Sequence, residues 1–98
     1  MNCNQTVICG KVIETGALRY TPAGVAVAEL KLNHASRQVE AGKAREVECE
    51  ISVVALAQMA ELIIGIAPGT MVKLSGFLAK KSRMSLQLVL HVNKINFL

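Results

Sequence analysis

Residues 5–34, "QTVICGKVIETGALRYTPAGVAVAELKLNH", contain the pattern that decides the fold. The first ten are rich in β-branched residues and include Gly10, which is typical of a bulge or sharp bend in a long strand. Pro22 and Gly24 then supply a fixed φ and a permissive residue, as in a hairpin turn. Beyond the turn, apolar and polar side chains alternate up to Asn33. The stretch therefore predicts two strands joined by a turn, the second with one solvent-exposed face.

Three more strands and one helix are predicted in the remainder of the chain. Residues 35–48, "ASRQVEAGKAREVE", are polar and either loop out or form an extended hairpin before a third strand, "VECEISVVAL", at 47–56. The stretch 56–65, "LAQMAELIIG", has helical spacing and ends at Gly65. Residues 69–81 and 85–98 give strands four and five. Three strands, one short helix and two strands is the order of the OB-fold, an all-β, five-stranded Greek-key barrel.

The composition predicts one domain, residues 1–98, that associates with a second copy. Hydrophobic residues make up 52% of the chain and aromatic residues only 3%. A barrel of this size cannot bury so much aliphatic surface, and an open strand edge invites pairing. We therefore expect a homodimer.

The cysteines and the N-terminus indicate a reduced compartment. Cys3, Cys9 and Cys49 are odd in number and lack metal-ligand spacing, so neither a disulfide framework nor a zinc site is expected, and no cofactor is predicted. Cys9 and Cys49 are interpreted as small buried hydrophobes. The start of the chain lacks the pattern of a signal peptide, and no apolar run approaches the ~18 residues of a membrane span. The expected location is the cytoplasm, without membrane contact.

Charge is distributed unevenly along the chain. The net charge is +4, yet all seven acidic residues lie between Glu14 and Glu61. The cations of the last third therefore face no acid there; they are Lys73, Lys80, Lys81, Arg83 and Lys94. A one-sided basic surface favours a polyanionic partner. The alternative is that these lysines only keep strand edges soluble.

No residue set for catalysis is present in the sequence. Glu46, Glu48 and Glu50 alternate along one strand and are interpreted as a solvated face, because a catalytic pair needs two differently tuned environments. His34 and His91 stand alone in strands, where a histidine is usually a hydrogen-bonded packing residue. The serines lack a nucleophile motif. The chain is not predicted to be an enzyme.

In its order of segments the chain resembles the primosomal replication protein N (PriB) family, which is similar to bacterial single-stranded DNA-binding proteins. The matching stretches are "GKVIETGALRYTPAGVAVAELKLNH", "EAGKAREVECEISVVALA", "VKLSGFL" and "LVLHVNKI". The resemblance implies a homodimer at abandoned replication forks, associated with the nucleoid. Its implied partners are single-stranded DNA, the PriA helicase and, where it exists, DnaT. The chain also stops after the barrel, without the Gly/Pro-rich, acidic-tipped tail of the binding proteins.

The resemblance and the fold place the nucleic-acid groove beside the loop between strands four and five. Lys80, Lys81 and Arg83 lie in this loop and are predicted to contact phosphates. Four further residues are expected to complete the site: Arg19, Tyr20, Lys43 and Arg45. Phe77 and Phe97 are predicted to be core residues. Lys43 and Glu48 stand where family members carry aromatics, and the Glu48 carboxylate would repel phosphate. We therefore expect weak, charge-based binding of DNA, with helicase contact carrying more of the function.

Two alternative functions remain at this point. One is a generic single-stranded DNA-binding protein, which the missing tail and the absence of tryptophan disfavour. The other is an OB-fold interaction module that binds only protein, which the scarcity of aromatic residues supports. A steep salt dependence of oligonucleotide binding would separate this last hypothesis from the others.

Overall fold

Six strands and one helix follow one another along residues 2–98, the part of the chain that the computed structural model describes. They are β1 (Thr6–Thr15), β2 (Arg19–Tyr20), β3 (Ala26–Glu40), β4 (Lys43–Leu56), α1 (Gln58–Ile64), β5 (Met71–Lys80) and β6 (Leu88–Phe97). The sheet order is β1-β5-β6-β4-β3-β2, and pairing of β1 with β3 closes it into a barrel. The prediction of a five-stranded OB-fold barrel with one short helix is confirmed, with the two-residue β2 as an addition.

β1 closes the barrel because it changes partner along its length. Its first part pairs with β5, from Thr6 to Lys11, and its last part pairs with β3, up to Thr15. Gly10 lies at the change, where a Cβ atom would overlap the carbonyl oxygen of Asn33. The register shift comes slightly later, between Val12 and Glu14. The predicted bend is therefore present, and glycine is required by the close approach of two backbones.

The core is entirely aliphatic. Its largest fully buried side chains include Leu32, Ile63, Leu74 and Leu90, and Ala60 and Ile63 attach α1 to the barrel. The predictions that Phe77 and Phe97 are core residues are wrong, because these side chains are 41% and 62% exposed. On β5 the inward positions belong to Val72, Leu74 and Gly76, which turns Phe77 outward. Phe97 is the last residue of β6.

The cysteine prediction also needs correction. Cys3, Cys9 and Cys49 are all free thiols and all exposed. Cys9 is exposed because Gly10, the next residue of β1, is directed into the barrel. Cys49 is exposed because it lies in a part of β4 that extends beyond the barrel.

β3 and β4 continue past the barrel as a two-stranded ribbon. β1 covers β3 only as far as Asn33, whereas β3 and β4 stay paired without a register shift to Glu40 and Lys43. We call residues 34–49 the ribbon; by strand rise it is about 20 Å long. Ala41 and Gly42 connect its strands with φ values of 52° and 76°, the positive φ angles of a type I′ turn. Of the two readings of residues 35–48, the extended hairpin is therefore confirmed.

Candidate nucleic-acid interface

The loop between β5 and β6 is short and closed by its own hydrogen bonds. The backbone N–H of Lys81 donates to the carbonyl oxygen of Gln87 at 2.9 Å, and that of Ser85 donates to Ser82 at 3.2 Å. These bonds fix the loop as a tight projection, and Lys80, Lys81 and Arg83 are exposed on it. Within residues 2–98 none of these three cations forms an ion pair. They are therefore free to meet an external anion.

The same loop presents two apolar side chains, one of which was predicted to lie in a strand. Met84 is 96% exposed and Leu86 is 90% exposed. Leu86 was expected inside the fifth strand, but β6 begins only at Leu88. The reason is the closing bond from Lys81 to Gln87, which holds Leu86 within the loop.

A cleft lies beside this loop, on the outer face of β3. Its volume is about 160 Å³. Its lining residues are Glu14, Gly16, Glu29, Leu30, Lys31, Ser52, Lys81 and Val89. Lys81 therefore reaches the face of the sheet on which OB-folds bind their ligands. Two carboxylates and two ammonium groups share the cleft, so its side chains carry no net charge and attract a polyanion only weakly.

Arg19 and Tyr20 form β2 and lie at the edge of the same sheet. Arg19 pairs with Val27 in the strand register, and its guanidinium contacts the Glu29 carboxylate at 3.3 Å. Both side chains are largely solvated, so the ion pair contributes at most about 1 kcal/mol to stability. Tyr20 is 63% exposed, which leaves its ring available for stacking. The charge of Arg19, however, is partly compensated by Glu29, which weakens its attraction for a phosphate.

The ribbon carries the remaining predicted residues, Lys43 and Arg45. Both lie on one face, because Lys43 pairs with Glu40 and Arg45 pairs with Gln38 in the register of β3 and β4. Arg45 also contacts the Glu40 carboxylate at 2.8 Å. Glu48 pairs with Ala35 and therefore lies on the other face, as do its neighbours Glu46 and Glu50. The carboxylate expected to repel DNA is thus separated from the ribbon cations by the thickness of the sheet.

The seven predicted residues fall into three groups. Lys80, Lys81 and Arg83 share the loop. Arg19 and Tyr20 form β2 at the sheet edge, where Arg19 contacts the cleft residue Glu29. Lys43 and Arg45 lie near the far end of the ribbon. Sequence reasoning missed Lys31 and Glu14, which are direct strand partners and both line the cleft. The alternation along β3 indicated that Lys31 is exposed, but only the pairing of β1 with β3 brings Glu14 beside it.

Other kinds of site are not found in the described chain. Among residues 2–98, no group of three or more His, Cys, Asp or Glu side chains is placed to hold a metal ion. His34 is hydrogen-bonded, with Nδ1 2.7 Å from the Cys9 carbonyl oxygen and Nε2 2.8 Å from the Ser36 hydroxyl. The prediction of a hydrogen-bonded packing residue is therefore confirmed for His34. No helix in this part of the chain is long and apolar enough to cross a membrane.

The barrel, the cleft and the basic loop define an OB-fold of the single-strand-binding class, and comparison with known proteins agrees. A family model described as "Another single-strand binding protein family" matches residues 4–94. A deletion mutant of the single-stranded DNA-binding protein from Thermus aquaticus superposes with a TM-score of 0.77 over 97% of this chain and 50% of its own, at 24% identity. At that identity the likeness concerns the fold alone.

Proteins named replication restart protein PriB are more similar still. That of Nitrosomonas europaea is 50% identical over 92 residues, which cover 94% of this chain and 85% of its own. That of Bordetella pertussis is 42% identical over 93% of this chain and 85% of its own. A solved structure of PriB from Ralstonia solanacearum has a TM-score of 0.88 at 34% identity and covers 96% of each chain. The chain therefore belongs to the PriB family of replication restart proteins. Members of this family are binding proteins and not enzymes, as the sequence predicted.

Proposed function

We propose that the chain is an accessory protein of replication restart that binds single-stranded DNA and stimulates the PriA helicase during primosome assembly. It acts as a homodimer and contacts DnaT where that protein exists. The names of its relatives support the setting of replication restart. The description of the matching family supports single-strand binding.

The observation that carries the DNA-binding part of the proposal is the loop between β5 and β6. Lys80, Lys81 and Arg83 project from it without an ion-pair partner in residues 2–98. When such a cation contacts a phosphate, counterions condensed on the DNA are released and no internal ion pair is broken. Counterion release is the main driving force for non-specific binding. The loop contributes charge to DNA binding, and Tyr20 contributes an exposed ring at the β2 edge of the sheet.

The binding is weak and sensitive to salt. Arg19 and Arg45 are each paired with a carboxylate, and the cleft carries as many acids as bases. Release of each arginine costs part of the energy that a phosphate contact supplies. Low affinity allows an accessory protein to release single-stranded DNA to a helicase. Contact with PriA is therefore more important to the function than DNA binding.

A protein-interaction module is the second candidate function. Met84 and Leu86 are almost fully exposed at the tip of the basic loop, where phosphate contact gives them no advantage. Apolar side chains at such exposure are typical of a protein contact. In this candidate the loop binds only protein, and its cations select an acidic partner.

One titration tests the proposal and separates the two candidates. A fluorescently labelled oligothymidylate is titrated with the protein at two salt concentrations, with and without PriA. The proposal requires binding that weakens steeply with salt, and tighter assembly in the presence of PriA. Absence of oligonucleotide binding at low salt, together with binding to PriA, would leave only the protein-interaction module.

A further inference from the structure

The outer face of the sheet formed by β1, β5 and β6 is exposed, basic and partly aromatic. The register places Lys73, Ser75 and Phe77 of β5 on this face, opposite Asn96, Lys94 and His91 of β6. Lys11 of β1 lies at its far end, in register with Met71. None of these side chains faces the barrel core, and Lys73 and Lys94 are exposed. Neither the cleft nor the ribbon uses this surface.

Phe77 and His91 form a ready-made stack on this face. Their ring centroids are 5.1 Å apart and their planes are inclined by only 4°. Gly76 makes this approach possible, since a Cβ atom there would overlap the carbonyl oxygen of His91. Phe77 nevertheless stays 41% exposed, so the stack does not bury its ring. A flat, partly exposed pair of rings offers a platform to which a nucleobase can add.

The charge of this face is of one sign. Lys11, Lys73 and Lys94 lie on it, and it carries no acidic side chain between Thr6 and Lys11 of β1 or anywhere on β5 and β6. Within residues 2–98 none of the three lysines forms an ion pair. The cleft beside β3 is balanced, whereas this face is purely cationic.

We propose that this face is a binding site for single-stranded nucleic acid, in which one base stacks on Phe77 and His91 while Lys94, Lys73 and Lys11 contact successive phosphates. The inference rests on the proposed single-strand binding and assigns it a second surface. Unpaired bases are the ligand because the site combines an aromatic platform with cations, and the face carries no acidic side chain that would attract a cationic ligand. A duplex keeps its bases stacked internally and cannot use the platform.

This face adjoins the basic loop, so a bound nucleic-acid strand can run from the loop onto the face without a gap. Ala79 and Lys80 end β5 where the loop begins, and Phe77, Ser75 and Lys73 follow at every second residue. The path from Ala79 to Lys73 is about 20 Å long by strand rise. Single-stranded DNA that is bound by Lys80, Lys81 and Arg83 therefore reaches the stacked rings first and the lysines of the sheet next.

A second copy of the chain is a less suitable occupant of this face. Self-pairing would bring three lysines of one copy against three of the other with no carboxylate between them. Like charges held together in a water-poor interface are destabilising. A polyanion removes this repulsion, which is why we assign the face to nucleic acid.

Two variants and one reporter test the assignment. Phe77→Leu keeps an apolar side chain but removes the ring, and we expect binding of oligothymidylate to weaken about thirtyfold, the middle of the range for one stacked base. Lys73→Gln with Lys94→Gln lowers the slope of log affinity against log salt by about 1.4, since each lost phosphate contact takes about 0.7. The chain has no tryptophan. Phe77→Trp therefore introduces a single tryptophan, which can be excited separately from Tyr20. Its emission should fall as oligothymidylate binds, with the same midpoint as the anisotropy titration.

Matched controls are available in the same chain. Phe97→Leu removes another exposed ring, at the end of β6 on the opposite side of the sheet, and should leave affinity unchanged. Arg37→Gln removes an exposed cation that is already paired with Glu46 at 3.6 Å and should change the salt slope little. Thermal melts of all variants check that each is folded.

The outcomes distinguish failure of this second site from failure of the proposed function. If the wild type binds oligothymidylate and neutralising Lys80, Lys81 and Arg83 weakens it, but the Phe77 and lysine variants bind normally without a change in emission, this second site is wrong and the proposed function stands. If the wild type binds no oligonucleotide, both are wrong. If Phe77→Leu instead lowers the mass of the assembly in sedimentation, the face is a subunit contact and the assignment to nucleic acid fails.

Discussion

Glu48 and Lys43 lie on opposite faces of the ribbon, although both belong to β4. The register pairs Glu48 with Ala35 and Lys43 with Glu40, which alternates them across the sheet. Glu48 shares its face with Ser52 and Lys31, the partners that line the cleft, so the acidic face of the ribbon continues the cleft. Single-stranded DNA that leaves the cleft along this face would therefore be repelled by carboxylates.

Glu48→Trp should therefore tighten binding of single-stranded DNA. It removes a repelling charge and adds a stacking ring worth ~1 to 3 kcal/mol, which is roughly a 5- to 150-fold gain in affinity. Glu50→Trp is the control, on the same face and about 7 Å nearer the barrel by strand rise. Anisotropy titrations with oligothymidylate and a duplex of equal length measure both variants. Equal effects at the two positions, or none at either, would show that DNA does not follow this face.

Lys80→Gln, Lys81→Gln and Arg83→Gln together should weaken DNA binding and lower the salt slope by about 2, at about 0.7 for each lost phosphate contact. The melting temperature should hardly change, because these side chains are exposed and unpaired within residues 2–98. Titrations at several salt concentrations and a thermal melt give both quantities. Unchanged affinity would make the loop a solvated turn.

Glu29→Gln should strengthen DNA binding. The change releases Arg19 from its 3.3 Å ion pair and gives the cleft a net positive charge. Loss of this solvated ion pair should cost less than about 1 kcal/mol of unfolding free energy. Glu46→Gln is the matched control, since it makes the same change of charge on the ribbon and releases Arg37. A larger gain from Glu46→Gln would place the DNA on the ribbon and away from the cleft.

Gly76→Ala should destabilise the fold by roughly 1 to 3 kcal/mol, because the added methyl group overlaps backbone atoms that cannot move aside. Gly65→Ala is the control: nothing lies within 4 Å of the added atom, and its φ of −87° suits alanine. Urea titrations followed by far-ultraviolet circular dichroism give both free energies. Equal stabilities would contradict the close contact between β5 and β6.

The protein should sediment as a homodimer of the 10.5 kDa chain. β1 is paired on one edge with β5 from Thr6 onward, but β3 covers its other edge only from Lys11. The uncovered backbone is an open strand edge, which a second copy can pair with. Sedimentation velocity at micromolar concentration measures the mass. A stable monomer there would rule out the dimer.

The order and type of the elements could be predicted from the sequence because each depends on neighbouring residues. Alternation marked β3, Gly65 ended the helix, and Gly10 marked the bend of β1. The facing of Phe77 could not be predicted, because Phe77 and Leu78 are adjacent apolar residues and a strand turns only one of them inward. The packing of Gly76 against β6 decides which one. Tertiary contact, and not local pattern, fixed this position.

The electrostatic part of the site was predictable only for residues close together in sequence. The cations from Lys80 to Arg83 share one short loop, and the sequence shows them directly. The charges at the cleft compensate one another because Glu14 lies beside Lys31 and Arg19 contacts Glu29. Both contacts result from strand pairing. A count of charges along the chain contains no information on such pairing, so the ion pair of Arg19 with Glu29 could not be predicted.

The ribbon beyond Asn33 implies a gradient of amide hydrogen exchange along β3 and β4. His34 ties the start of the ribbon to β1 through the Cys9 carbonyl oxygen, but beyond it the structure shows cross-strand bonds, two exposed ion pairs and a type I′ turn. An isolated two-stranded hairpin is marginally stable in water. Its amides should exchange through local opening, whereas those from Val27 to Leu32 wait for the barrel to unfold. Lys43 and Arg45 thus belong to a segment that loses conformational entropy when a bound ligand restricts its motion. A partner that docks along the ribbon should slow this exchange before it alters the barrel.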